Sequence, residues 1–92
     1  LQRLPTTKRS AAAMKVTVLV RPRDGILDPQ GEAVRRSLAG LGYPAADVRA
    51  GKVFDLDVDA DDAEGARRIA DEIAGKVLSN PLIEQYQVEV SG

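Results

Sequence analysis

The chain contains no cysteine and no histidine. The first absence excludes disulfides, thiol nucleophiles and thiolate metal sites; the second removes the commonest general base and the usual imidazole ligands of zinc. Tryptophan is also missing, and aromatics amount to 3%: Tyr43, Phe54 and Tyr86. A core must therefore be assembled from Val, Leu, Ile and Ala. No apolar run approaches the roughly 18–20 residues that span a bilayer, so the expectation is a soluble, cytoplasmic protein. Positive charge is scarce too. Three of the 13 Lys and Arg residues fall among residues 1–13, which hold no acid, leaving ten against 14 Asp and Glu over 14–92, a net of −4. An acidic domain with few aromatics lacks the clustered cations and stacking surfaces of nucleic-acid binders.

What is present is the composition of one small globular domain. Ninety-two residues, 43% of them apolar, can bury a core, but a thin one of the kind often reinforced by association. Residues 1–13 show no periodicity and precede the only methionine, Met14. They are expected to be a non-native or disordered extension, with the folded domain over 14–92. Their Arg3, Lys8 and Arg9 resemble a transit peptide, but the stretch is short and lacks an apolar run.

From Lys15 the pattern is regular. Val16, Val18 and Val20 alternate with Thr17, Leu19 and Arg21, predicting a strand that Pro22 ends. A turn over 23–27 leads to Asp28-Pro29, an N-cap followed by proline at the first helical position. Val34, Leu38 and Leu41 form an apolar stripe, Gly40 and Gly42 weaken the helix, and Tyr43-Pro44 closes it. The stretch Asp47–Ala60 reads as extended, either one long strand bent at Gly51 or two short strands meeting there. The bent strand is favoured because little room remains for a hairpin loop. Its second half alternates Phe54, Leu56 and Val58 with Asp55, Asp57 and Asp59. Asp61 or Asp62 caps a second helix with Ala66, Ile69, Ala70, Ile73 and Val77 as its buried stripe. Ser79-Asn80-Pro81 stops it, and Ile83–Val90 is a last strand with Tyr86, Val88 and Val90 inward.

The order β-α-β-α-β, with one apolar face per strand, predicts an α+β two-layer sandwich. It is ferredoxin-like with one strand merged or missing, both helices lying on one face. Unpaired sheet edges and a thin core predict a homo-oligomer, a dimer or a tetramer formed by paired dimers, with sheets joined across the dimer.

No nucleophile lies beside a base, so no catalytic residue is expected. The three aspartates of the alternating strand resemble the start of a calcium loop, but the Gly and distal Glu of that motif are missing, which leaves them as a solvated face. The remaining candidates each have a plain reading and an interface reading. Asp28, Pro29, Gln30 and Gly31 are a helix start or a subunit contact. Arg49, Gly51 and Lys52 are an exposed strand end or a contact for an acidic group or anion. Asn80, Pro81, Glu84 and Tyr86 are a helix stop with an edge strand, or an interface.

Three of these segments, Ile26-Leu27-Asp28-Pro29-Gln30-Gly31, Asp47-Val48-Arg49-Ala50-Gly51-Lys52 and Leu78-Ser79-Asn80-Pro81-Leu82-Ile83-Glu84-Gln85-Tyr86, resemble in order and spacing the PurS family, small subunits of phosphoribosylformylglycinamidine synthase. The resemblance covers essentially all of 14–92. It implies a non-catalytic assembly subunit bridging the PurL synthetase and the PurQ glutaminase, so that ammonia from glutamine reaches formylglycinamide ribonucleotide. It also implies that ATP, Mg and glutamine are used by the complex, with no cofactor bound by this subunit. The alternative left by the residues alone is a stand-alone regulatory module that binds a small ligand.

Overall fold

The computed structural model describes residues 13–91; the extension expected at the N-terminus lies, but for Ala13, outside them. The elements are β1 (Ala13–Pro22), α1 (Pro29–Gly40), β2 (Lys52–Asp59), α2 (Ala63–Ile73) continued by a π-helical turn (Ala74–Leu78), and β3 (Glu84–Ser91). The three strands form one antiparallel sheet in the order β2-β1-β3. Val18 of the central strand faces Phe54 on one side and Val88 on the other. β2 and β3 therefore run parallel to each other with β1 between them, and α2, the crossover joining them, lies over β1. This is the β-α-β-β-α-β arrangement without the strand that would follow α1. The missing strand corresponds to residues 41–51, which are irregular. The bent strand expected over 47–60 is thus corrected: only Lys52–Asp59 is extended and paired.

The core is small. Val16, Val18 and Val20 are fully buried and meet Ala66, Ala70 and Ala74 of the crossover helix. Alanine at each contact turn lets the helix lie close to the sheet. Phe54, Leu56, Tyr86, Val88 and Val90 pack half-buried around this centre, on the strand faces that the alternation predicts. The helix stripe, however, is rotated from its expected phase: Ile69 is 36% and Val77 73% exposed. For Val77 the cause is the π turn. Ser79 N–H donates to the Ala74 carbonyl five residues back at 3.0 Å, and each residue of such a widened turn advances less than the ~100° of an α-helix. The lag carries Val77 out of the contact face and brings Leu78 into it, where Leu78 packs on the core.

A second correction concerns α1. It starts as expected, with the Asp28 carboxylate accepting from Gly31 N–H at 3.0 Å and Pro29 in the first turn. Gly42, at φ +87°, lies beyond the helix rather than weakening it. Tyr43 N–H bonds the Leu38 carbonyl and Gly42 N–H that of Ala39, the paired bonds of a left-handed glycine cap. Yet α1 has no extensive packing against the sheet or α2, so the two helices do not form one layer over a shared face. The radius of gyration, 17.1 Å, exceeds the ~12 Å of a compact chain this long, as a projecting helix requires.

Candidate functional site

The three motif segments converge on one end of the sheet, where β1 ends and β2 and β3 begin. Asp28 joins two of them. One carboxylate oxygen caps α1, and the other accepts from Ala50 N–H at 2.8 Å. These two N–H donors, helped by the charge of Arg49, hold the Asp28 carboxyl below its ordinary value, because hydrogen bonds to the charged form favour it. The approach leaves no room for side chains. A Cβ on Gly31 would overlap the Val48 carbonyl and the Asp28 carboxylate, and one on Gly51 would overlap the Val20 carbonyl.

Arg49 faces inward across the turn that precedes α1. Its guanidinium bonds the carbonyls of Pro22 (2.6 Å) and Arg23 (3.2 Å) and pairs with Asp24 at 3.2 Å. The third segment is tied in by Arg23, which donates its main-chain N–H to the Ile83 carbonyl and its Nε to the Pro81 carbonyl, each at 2.9 Å. The Glu84 carboxylate accepts from Asn80 N–H at 2.7 Å and lies 3.9 Å from Lys52 Nζ, while the Asn80 side chain accepts from Leu82 N–H at 3.2 Å. The Asp28 and Glu84 carboxylates and the Arg49 guanidinium thus each fix main chain.

Between the segments lies a cleft of about 490 Å³ whose rim carries Ile26, Leu27, Gln30, Lys52 and Ile83. Leu27 and Leu82 are 80% and 86% exposed. Of the candidates, Asp28, Pro29, Gln30, Gly31, Arg49, Gly51, Lys52, Asn80, Pro81 and Glu84 belong to this end. Tyr86 lies apart, half-buried toward α2. Its hydroxyl donates to the Asp71 carboxylate at 2.9 Å, a bond to the neutral phenol that raises its pKa. Arg23, Asp24 and the two exposed leucines were not singled out by sequence. A turn arginine carries no mark of its contacts, but leucines within two residues of a proline were a usable signal.

The aspartates of β2 sit on the opposite, solvent face of the sheet. Thr17 donates to Asp55 at 3.1 Å, and Lys15 lies 3.5 Å from Asp57. Among the described residues no group of three or more acidic side chains is placed to hold a metal ion, and no helix is long and apolar enough to cross a membrane.

Fold and site define a small ferredoxin-like α+β domain whose polar network shapes a surface at one end of its sheet. The family model described as PurS, phosphoribosylformylglycinamidine (FGAM) synthase, matches residues 15–92. The phosphoribosylformylglycinamidine synthase subunit PurS of Bacillus subtilis is 38% identical over 77 residues, covering 83% of this chain and 90% of that protein. Its counterpart from Methanocaldococcus jannaschii is 30% identical, covering 83% and 93%. The crystal structure of the Thermotoga maritima PurS subunit superposes with a TM-score of 0.79 at 32% identity, over 86% of this chain and 92% of that one. A chain in the structure of PurLQS from the same organism gives 0.78 at 32% identity, over 86% and 98%. The chain belongs to the PurS family of FGAM synthase subunits.

Proposed function

We propose that this chain is the assembly subunit that bridges a PurL synthetase and a PurQ glutaminase, works as a homo-oligomer built from dimers, and has no catalytic site of its own. In this reading ATP, Mg and glutamine are handled by the complex, in the cytoplasm, and ammonia released from glutamine reaches formylglycinamide ribonucleotide only within it. The observation that carries the reading is the likeness to a chain in the PurLQS structure, which covers 86% of this chain and 98% of that one.

In this reading the larger subunits are met at the sheet end. Leu27, Leu82 and Ile83 expose apolar surface there beside Gln30 and Lys52, an apolar centre with a polar rim as in protein interfaces. The main-chain clamps of Asp28, Arg49 and Glu84 keep that surface preformed, which lowers the ordering cost of association. The acidic face of Asp55, Asp57 and Asp59 is a second surface available to either partner.

A sizing column tests the assembly. The chain mixed with PurL and PurQ from the same source elutes as one complex with glutamine and nucleotide present. Leu27→Asp and Leu82→Asp, at exposed positions, leave the isolated chain folded and weaken that complex. If the three chains elute separately and the isolated chain instead takes up a small ligand saturably, the regulatory-module reading replaces this one; the cleft volume lies in the range of ligand sites.

A further inference from the structure

The cleft at the sheet end combines three features that the contacts of the described residues leave unused. Its floor is apolar, formed by Val20, Pro22, Pro29 and Ala50, and Leu27 and Ile83 stand open around it. Its acids are turned inward. Asp28 spends both oxygens on main-chain N–H groups, and Glu84, 20% exposed, accepts from Asn80 N–H. Its cations are turned outward. Lys52 is 57% exposed and lies 3.9 Å from Glu84, beyond hydrogen-bond length. Arg23, exposed at the same end, bonds through its side chain only by Nε, to the Pro81 carbonyl. On the remaining side the Gln30 carboxamide is exposed and bonds no other described residue, so a donor and an acceptor stand side by side on one group.

We propose that this cleft holds an extended segment of a protein partner that carries a bulky apolar residue with Asp or Glu beside it. The proposal rests on the assembly-subunit reading and supplies the chemistry of the segment that PurL or PurQ brings. The apolar side chain enters between Leu27 and Ile83, where it displaces water from surface that the chain itself leaves open. The acid meets Lys52, and Arg23 adds to the positive field. Charge selects an acidic segment over a basic one because the cleft's own carboxylates are already spent on main chain. The Gln30 carboxamide takes a main-chain N–H and C=O of the segment. Within a helix those groups bond one another, so an extended segment is the form that Gln30 can read.

The absence of cysteine makes the test direct. Ile26→Cys, on the rim of the cleft, is labelled with a thiol-linked benzophenone and irradiated with PurL and PurQ from the same source. The cross-linked peptide is expected to come from one of those two subunits and to hold a bulky apolar residue beside an acid. Lys52→Glu, at an exposed position, keeps the circular dichroism of the parent and weakens the complex about tenfold or more, the effect of a like-charge contact. Lys52→Gln, which does not repel Glu84, weakens it less. Changing the acid of the identified peptide to Lys restores binding to Lys52→Glu, as a direct pair requires. The proposal is overturned if Lys52→Glu binds like the parent, if the peptide has no acid or comes from a second copy of this chain, or if inorganic phosphate at fixed ionic strength abolishes the cross-link, which would make the cleft a small-anion site. If the parent forms no complex with PurL and PurQ, the assembly-subunit reading falls and the proposal with it. If the complex forms but the label reaches no acidic segment, the proposal alone falls.

Discussion

Replacing Gly31 by alanine sets two effects of opposite sign against each other. Gly31 lies in the first turn of α1, and exchanging glycine for alanine inside a helix ordinarily stabilises by up to about 1 kcal/mol. Gly31 is also buried, and its added Cβ would overlap both the Val48 carbonyl and the Asp28 carboxylate. Relief needs main chain at the start of α1 to move by about 1 Å, an overpacking that costs about 1–3 kcal/mol. The same shift pulls Ala50 N–H and Gly31 N–H from the Asp28 carboxylate, which adds to the loss. The net expectation is a loss of about 2 kcal/mol. Gly40, at the other end of the same helix, has nothing within 4 Å of its would-be Cβ, and Gly40→Ala is expected to gain a few tenths to 1 kcal/mol. Thermal unfolding at one fixed protein concentration reads both, since association contributes to the midpoint. Gly31→Ala should melt about 8–16 °C below the parent and Gly40→Ala slightly above it, at roughly 4–8 °C per kcal/mol for a domain of this size. If Gly31→Ala matches or exceeds the parent, the close packing at the start of α1 is wrong.

Three further outcomes follow from particular contacts. The π turn predicts that Leu78→Ala costs about 1–2 kcal/mol, as for a half-buried leucine, while Val77→Ala stays within about 0.5 kcal/mol; denaturant midpoints in the reverse order would restore a straight helix. The lowered pKa of Asp28 means the folded chain binds this proton less readily than the unfolded one. Its stabilisation is then present above about pH 3.9 and lost as pH falls through the lower folded value, so Asp28→Asn should flatten the acid limb of the urea midpoint, and an unchanged limb would remove Asp28 as its source. For Tyr86 the folded pKa is raised, so its contribution is present below about pH 10 and lost above. Tyr86→Phe should cost no more than about 1 kcal/mol at neutral pH and weaken the alkaline loss, as followed by denaturant titration.

The parts of the fold legible in the sequence were those where one periodicity met one environment. Val16, Val18 and Val20 alternate because one face of β1 is buried and the other is not, and Phe54, Leu56 and Val58 repeat that logic. Asp28-Pro29 announced α1 because capping is local chemistry. Val77 was misread because a π turn changes the angular step without a mark in residue type, so an uninterrupted 3.6-residue pattern placed it with Ala66 and Ala70. The position of α1 was illegible for another reason. Val34, Leu38 and Leu41 give it an amphipathic stripe, and a stripe specifies apolar cover without saying which molecule supplies it. At the site, the three segments were found separately, but their meeting depends on long-range bonds from Asp28 to Ala50 and from Arg23 to Pro81 and Ile83, which no spacing along the chain encodes.

Reconstitution tests the central claim most directly. PurL and PurQ from the same source, given ATP, Mg, glutamine and formylglycinamide ribonucleotide, are assayed for amidine formation while this chain is titrated in. The account predicts that glutamine-dependent product rises with added chain to a fixed stoichiometric plateau, that the chain alone makes none, and that free ammonia supports PurL without it. Equal glutamine-dependent activity with and without the chain would contradict the account.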